Sequence, residues 1–147
     1  MENFYEGWGL LSFWSDDMRE FLKGFDTLEG DYTGSNRYML TLILLLGVTT
    51  AIFCLYYFVI DSVRLRFRKY WLFFALLNLL ICFCVGFVNA EAGVKAAVDQ
   101  GITASYADCF GFGITTAIWA VLFFVLFSVL PFPRKLSTNC KFTPWKF

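Results

Sequence analysis

The chain has 147 residues, of which 59% are hydrophobic and 16% charged, and it contains no His. Ordinary globular chains carry roughly 45–50% apolar and about 25% charged residues, so this composition excludes a typical soluble domain. The missing His removes the usual general base and the commonest metal ligand, and the net charge of zero hides a strong asymmetry along the chain.

Residues 1–36 hold eight acids against only Arg19 and Lys23. Within them Phe4, Trp8, Leu11, Trp14, Met18, Phe21, Phe25 and Leu28 recur at spacings of three and four. This is the period of an amphipathic helix, with Glu6, Asp16, Asp17, Glu20 and Asp26 on the rest of its circumference. Gly30 to Asn36 reads as a turn. Such a helix either lies on the membrane surface or packs on partner subunits as an acidic collar. Its acidity argues against anionic lipid, because surface-bound helices are usually basic. The start of the chain has neither the basic region nor the short apolar core of a cleavable signal peptide. The first span is therefore expected to act as an uncleaved anchor.

Three stretches carry no charge: 38–60, 70–90 and 109–133. Each exceeds the roughly 18–20 residues that cross a hydrocarbon core as a helix. A helix is required because lipid cannot satisfy exposed backbone groups, and continuous apolar runs exclude an alternating β-barrel strand pattern. The expected fold is all-α and integral to the membrane: three transmembrane helices plus the N-terminal extracytoplasmic amphipathic helix, assembled as an oligomer.

The flanks set the threading. The loop 61–69 holds Asp61 against Arg64, Arg66, Arg68 and Lys69, and the tail 134–147 holds Arg134, Lys135, Lys141 and Lys146. The segment 91–108 holds Glu91, Asp99 and Asp108 against Lys95. Basic flanks stay cytoplasmic, which predicts an outer N-terminus and an inner C-terminus. Tyr56, Tyr57, Tyr70 and Trp71 fall at the expected inner interface, and Tyr38 and Tyr106 at the outer one. Ala92, Ala96, Ala97, Gln100 and Ala104 prolong a small-residue face beyond the second span, so 91–105 is a candidate to project outward beside the N-terminal helix. The tail 141–147 interleaves cations with aromatics and reads as an interfacial anchor; four charges are too few for stable nucleic-acid binding.

No Asp, Glu, Lys or Arg lies within a span, which disfavours proton-coupled pumps, voltage sensors and intramembrane hydrolases. The five Cys, at 54, 82, 84, 109 and 140, match neither a redox motif nor a zinc site. No enzyme activity and no cofactor are expected. The spans instead carry stripes of small and weakly polar residues at helical spacing. These are Gly47, Thr50, Ala51 and Cys54 in the first span. In the second they are Ala75, Asn78, Cys82, Gly86, Asn89 and Gly93, and in the third Cys109, Gly113, Thr116, Ala117 and Ala120. Small residues let helices approach closely, and Asn or Thr can hydrogen-bond across the contact. The same stripes could instead line a narrow aqueous path, with Trp119 and Phe124 as a constriction.

In layout, with short length, a few spans and minimal extramembrane parts, the chain resembles the small multi-pass effector subunits of bacterial anti-phage defence systems. That resemblance implies an inner-membrane protein that permeabilises the bilayer when a nucleotide signal or a partner protein activates it. It also implies an anionic ligand or lipid at Arg64, Arg66, Arg68, Lys69, Arg134 or Lys135, basic groups that the cytoplasmic threading already explains. The expected function is a homo-oligomeric channel or pore of three to five subunits, cation-preferring because of its acidic outer part. The alternative is a structural or scaffolding subunit of a larger membrane complex.

Overall fold

The computed structural model describes residues 14–25, 32, 34, 36–60, 67–98 and 105–130, without the side chains of 93 and 96–98. Among the described residues four α-helices follow in order: α1 (Asp16–Lys23), α2 (Arg37–Cys54), α3 (Arg68–Val98) and α4 (Tyr106–Val129). A π-helical turn, Leu55–Val59, continues α2. Among the described residues there is no strand. Arg37–Val59, Arg68–Ala92 and Tyr106–Val129 are long and apolar enough to cross a membrane. The expected three spans are present, with shifted ends. Arg68 and Lys69 sit in the first turn of α3 rather than in a loop, and Tyr106 to Asp108 open α4. Arg64, Arg66, Arg134 and Lys135 lie outside the described residues, as do Phe4, Trp8, Leu11 and Leu28.

The helix starts follow from local chemistry. The Asn36 side chain accepts the Met39 N–H at 3.1 Å and caps α2. Ser105 caps α4 in a capping box with Asp108. The apolar spacing of the N-terminal segment predicts a helix running to Leu28, but α1 stops at Lys23. Gly24 takes φ 94°, a left-handed conformation open to glycine at little cost. Its N–H donates to the Phe21 carbonyl at 2.9 Å, and the Phe25 N–H to the Glu20 carbonyl at 3.1 Å, which closes the helix end.

Of the three long helices, α3 runs antiparallel to α2 and α4, and three apolar layers hold them. At one end Trp14, Met18 and Leu22 of the α1 region pack on Tyr38, Ala90, Val94, Cys109 and Phe112. Mid-bundle, Leu45 meets Cys82 and Ala120. At the other end Ile52, Tyr56, Tyr57, Trp71, Phe74, Ala75 and Phe124 form the third layer. Tyr38, Tyr56, Tyr57 and Trp71 are thus buried in the bundle near the span ends. Of their polar atoms, Trp71 Nε1 donates to the Ser128 hydroxyl at 3.2 Å. Tyr106 remains 59% exposed.

Candidate functional site

The polar residues that the spans carry converge on the seam where α2, α3 and α4 meet. Asn78 is at its centre and is wholly buried. Its Nδ2 donates to the Thr49 hydroxyl at 3.3 Å and to the Ala120 carbonyl at 3.0 Å. Its Oδ1 accepts from Cys82 Sγ at 3.8 Å. Both amide protons and the carbonyl are therefore engaged within one chain. Higher up, Asn89 Nδ2 donates to the Thr41 hydroxyl at 3.3 Å. The hydroxyls of Thr115, Thr116 and Ser128 bond back to the carbonyls of Gly111, Phe112 and Phe124, at 2.8–3.0 Å. The apolar surroundings require this, since a polar group buried without a partner is costly.

Close backbone approach follows from the small residues of α3 and α4. A Cβ built on Gly86 would lie 2.7 Å from Thr116 Oγ1 and 3.2 Å from the Gly113 Cα. A Cβ on Gly113 would meet the Phe83 ring at 3.0 Å. Ala117 and Ala120 are buried in the same seam, and Phe124 is buried against Trp71 with ring centroids 5.7 Å apart. Trp119 is half-buried and packs beside Phe123. So Asn78, Cys82, Gly86, Gly113, Thr116, Ala117, Ala120 and Phe124 are buried between helices of one bundle.

The first-span stripe is placed differently. Gly47, Thr50 and Ala51 are exposed and Cys54 is half-buried, all on the outer side of α2. A Cβ on Gly47 would meet nothing within 4 Å. The inward face of α2 is instead Tyr38, Thr41, Leu45, Thr49 and Ile52. The inward face is set by complementarity: Cys82 and Ala120 leave room that Leu45 fills, while Met39, Leu40, Ile43 and Leu44 are exposed alongside Gly47. Among the described residues of the three spans, Thr50 is the one Ser, Thr, Asn or Gln that is exposed.

Asp108 entered the sequence reading only as a flanking charge. Its carboxylate joins two helix starts. One oxygen accepts the Ser15 backbone N–H at 2.9 Å; the other accepts the Ser15 hydroxyl at 3.2 Å and the Ser105 N–H at 3.1 Å. The Ser-x-x-Asp spacing of 105–108 is the signal that could have found the capping part of this role. Asp108→Ala is expected to cost about 1–2 kcal/mol through the lost cap. Thermal unfolding in detergent checks that figure, with faster amide exchange around Ser15 marking the loss of α1 docking. Beyond the membrane-spanning part, Lys95 Nζ lies 2.8 Å from a Glu91 carboxylate oxygen, whose hydrogen bond and charge raise the lysine pKa.

Among the described residues no group of three His, Cys, Asp or Glu side chains is arranged to hold a metal ion. The class that fold and seam define is an all-helical, membrane-embedded protein with three candidate spans and a short helix packed on one end of the bundle. No known protein family, curated protein or solved structure matches the chain.

Proposed function

We propose that this chain is the subunit of a homo-oligomeric membrane channel or pore, with three to five copies around an axis faced by α2. The supporting observation is the outward face of α2, where Gly47, Thr50 and Ala51 are left uncovered by the rest of the chain. The rest of the outward surface is bulky, with Met39, Leu40 and Ile43 exposed on α2 itself and Leu72, Leu76, Ile114 and Leu122 on α3 and α4. Small residues permit close approach of further helices, and a ring of hydroxyls supplies polar lining. The charge pattern of the flanks puts the α1-bearing end outside the cytoplasm and the C-terminus inside. Asp16, Asp17 and Glu20 are exposed on α1 and give the outer entrance a negative surface that concentrates cations. The basic groups at the start of α3 and in the tail face the cytoplasm, where an anionic or nucleotide activator or a protein partner would act. An inner-membrane defence effector is one setting for such a channel.

A second reading, a scaffolding subunit of a larger membrane complex, uses the same α2 face and gains from the seam around Asn78, whose amide is bonded within one bundle. Stoichiometry and planar-bilayer recording separate the two. Thr50→Trp is expected to reduce conductance roughly tenfold or more while the oligomer persists, whereas Ile114→Trp on the outward face of α4 leaves conductance within about twofold. A monomeric protein without conductance when candidate activators are added would remove the channel reading. An oligomer without conductance would favour the scaffold.

A further inference from the structure

We propose that the groove between α2 and α3 binds one phospholipid, its phosphate on Arg37 and one acyl chain along α3. The groove has a volume of 460 Å³ and is lined by apolar side chains that include Leu44, Leu80, Cys84 and Val88, with Asn89 as its single polar lining residue. That volume lies within the roughly 300–1,000 Å³ typical of small-molecule sites. From Leu80 to Val88 the groove follows α3 for about 12 Å, at about 1.5 Å per residue. One leaflet of a hydrocarbon core roughly 30 Å thick is of similar depth.

A cation outside the groove lining lies beside its polar end, at Asn89. Arg37 Nη1 donates to the backbone carbonyl of Asn89 at 3.4 Å, and the guanidinium lies 5.3 Å from the centre of the Phe21 ring. These contacts hold the side chain at the mouth of the groove and leave four of its five N–H donors for a ligand. Among the described residues no carboxylate pairs with Arg37. Arg37 also occupies the first turn of α2, which contains no acid. The unpaired N–H groups there carry partial positive charge, so the helix end opposes a cation and favours an anion beside it. A guanidinium matches the oxygens of a phosphate in fork geometry.

An apolar slot that ends at a fixed cation at the membrane surface has the polarity pattern of a phospholipid. A helix from a second copy filling the same slot would cover Arg37 as well and strip water from its charge. A lipid phosphate at the surface engages the guanidinium and leaves it hydrated.

Native mass spectrometry of the purified full chain, with phosphatidylglycerol titrated in, tests the site. One tightly retained lipid per protomer is expected. Arg37→Gln keeps a donor for the Asn89 carbonyl and removes the charge; Cys84→Trp fills the groove. Each is expected to weaken retention roughly tenfold or more, the scale of one lost charge-assisted contact. Leu72→Trp, elsewhere on the exposed surface of α3, leaves retention unchanged. On the unaltered protein, diacylglycerol, which lacks the phosphate, is retained roughly tenfold less. This comparison stands even where a variant fails to fold. Inorganic phosphate alone does not displace the lipid, since it lacks the chain. Equal retention of diacylglycerol and phosphatidylglycerol, displacement by inorganic phosphate, or undiminished retention in folded Arg37→Gln or Cys84→Trp protein would overturn the proposal. Quantitative disulfide formation between Cys84 residues of two copies in membranes would overturn it too, by showing a second chain in the groove.

Discussion

Replacing Gly86 by Leu is expected to separate α3 from α4 and to destabilise the bundle by about 3 kcal/mol, the upper end of the range for overpacking a tight contact. The obstruction is rigid. The nearest atoms to an added Cβ are Thr116 Oγ1 at 2.7 Å and Thr116 Cβ at 2.9 Å. Thr116 is β-branched, and its hydroxyl is bonded to the Phe112 carbonyl at 2.8 Å, so the side chain cannot swing away without losing that bond. Behind it lies backbone, the Gly113 Cα at 3.2 Å. Gly86→Ala is the milder case. A helix interior gains roughly 1 kcal/mol when Gly becomes Ala, which offsets part of the clash. Its net cost is expected to be about 1 kcal/mol, and Thr116→Gly in the same chain should recover most of it. Reversible unfolding in mixed micelles measures all of these, and the double-mutant cycle isolates the contact. If Gly86→Leu unfolds with unaltered stability, the α3–α4 approach described above is wrong.

Phe112→Ala is expected to release α1 from the bundle and to cost about 3 kcal/mol, as large-to-small changes at buried aromatic positions do. Phe112 is wholly buried and meets two rings edge-on, Trp14 at 5.5 Å and Tyr38 at 5.8 Å. Those rings come from the chain before α1 and from the first turn of α2, so one side chain holds three segments together. Amide exchange across Met18 to Lys23 should quicken, while the layer of Leu45, Cys82 and Ala120 keeps its protection. Phe110 is 51% exposed on the opposite side of α4, and Phe110→Ala should cost less than about 1 kcal/mol. Equal effects of the two substitutions would show that Phe112 does not anchor α1.

Both predictions rest on features with unequal visibility in the sequence. The Gly86 and Gly113 contact follows a stripe that is plain at helical spacing. The same logic applied to Gly47, Thr50, Ala51 and Cys54 points to packing, yet the bundle leaves most of that face open. A stripe tells which residues share a face; it does not tell which neighbour covers the face. Three helices offer each other limited surface, and α2 satisfies α3 and α4 with Leu45 and Thr49. The aromatic residues near the span ends show the same limit. Tyr56 and Trp71 have the composition of an interfacial belt, but side-chain direction, which composition does not encode, turns them inward.

The three spans were determined by the sequence alone, because the length of an uncharged run and the impossibility of open backbone in hydrocarbon are properties of a chain segment. The proposed threading rests on the flanking Lys and Arg for a similar reason: each flank carries its charge whatever the helices do. The start of α4 is also local, since a capping box needs only four residues. Where α1 sits was a tertiary matter. Its apolar spacing suits lipid, a partner or its own bundle equally well, and Asp108 meets Ser15 only because folding brings positions 93 residues apart together. The partners of Asn78 are likewise tertiary: an amide in a span must find donors and acceptors, but only the crossing of three helices sets Thr49 and Ala120 within reach. The groove that ends at Arg37 is of the same kind. Its cation belongs to the start of one helix and its apolar wall to the end of another, so neither segment alone contains the site.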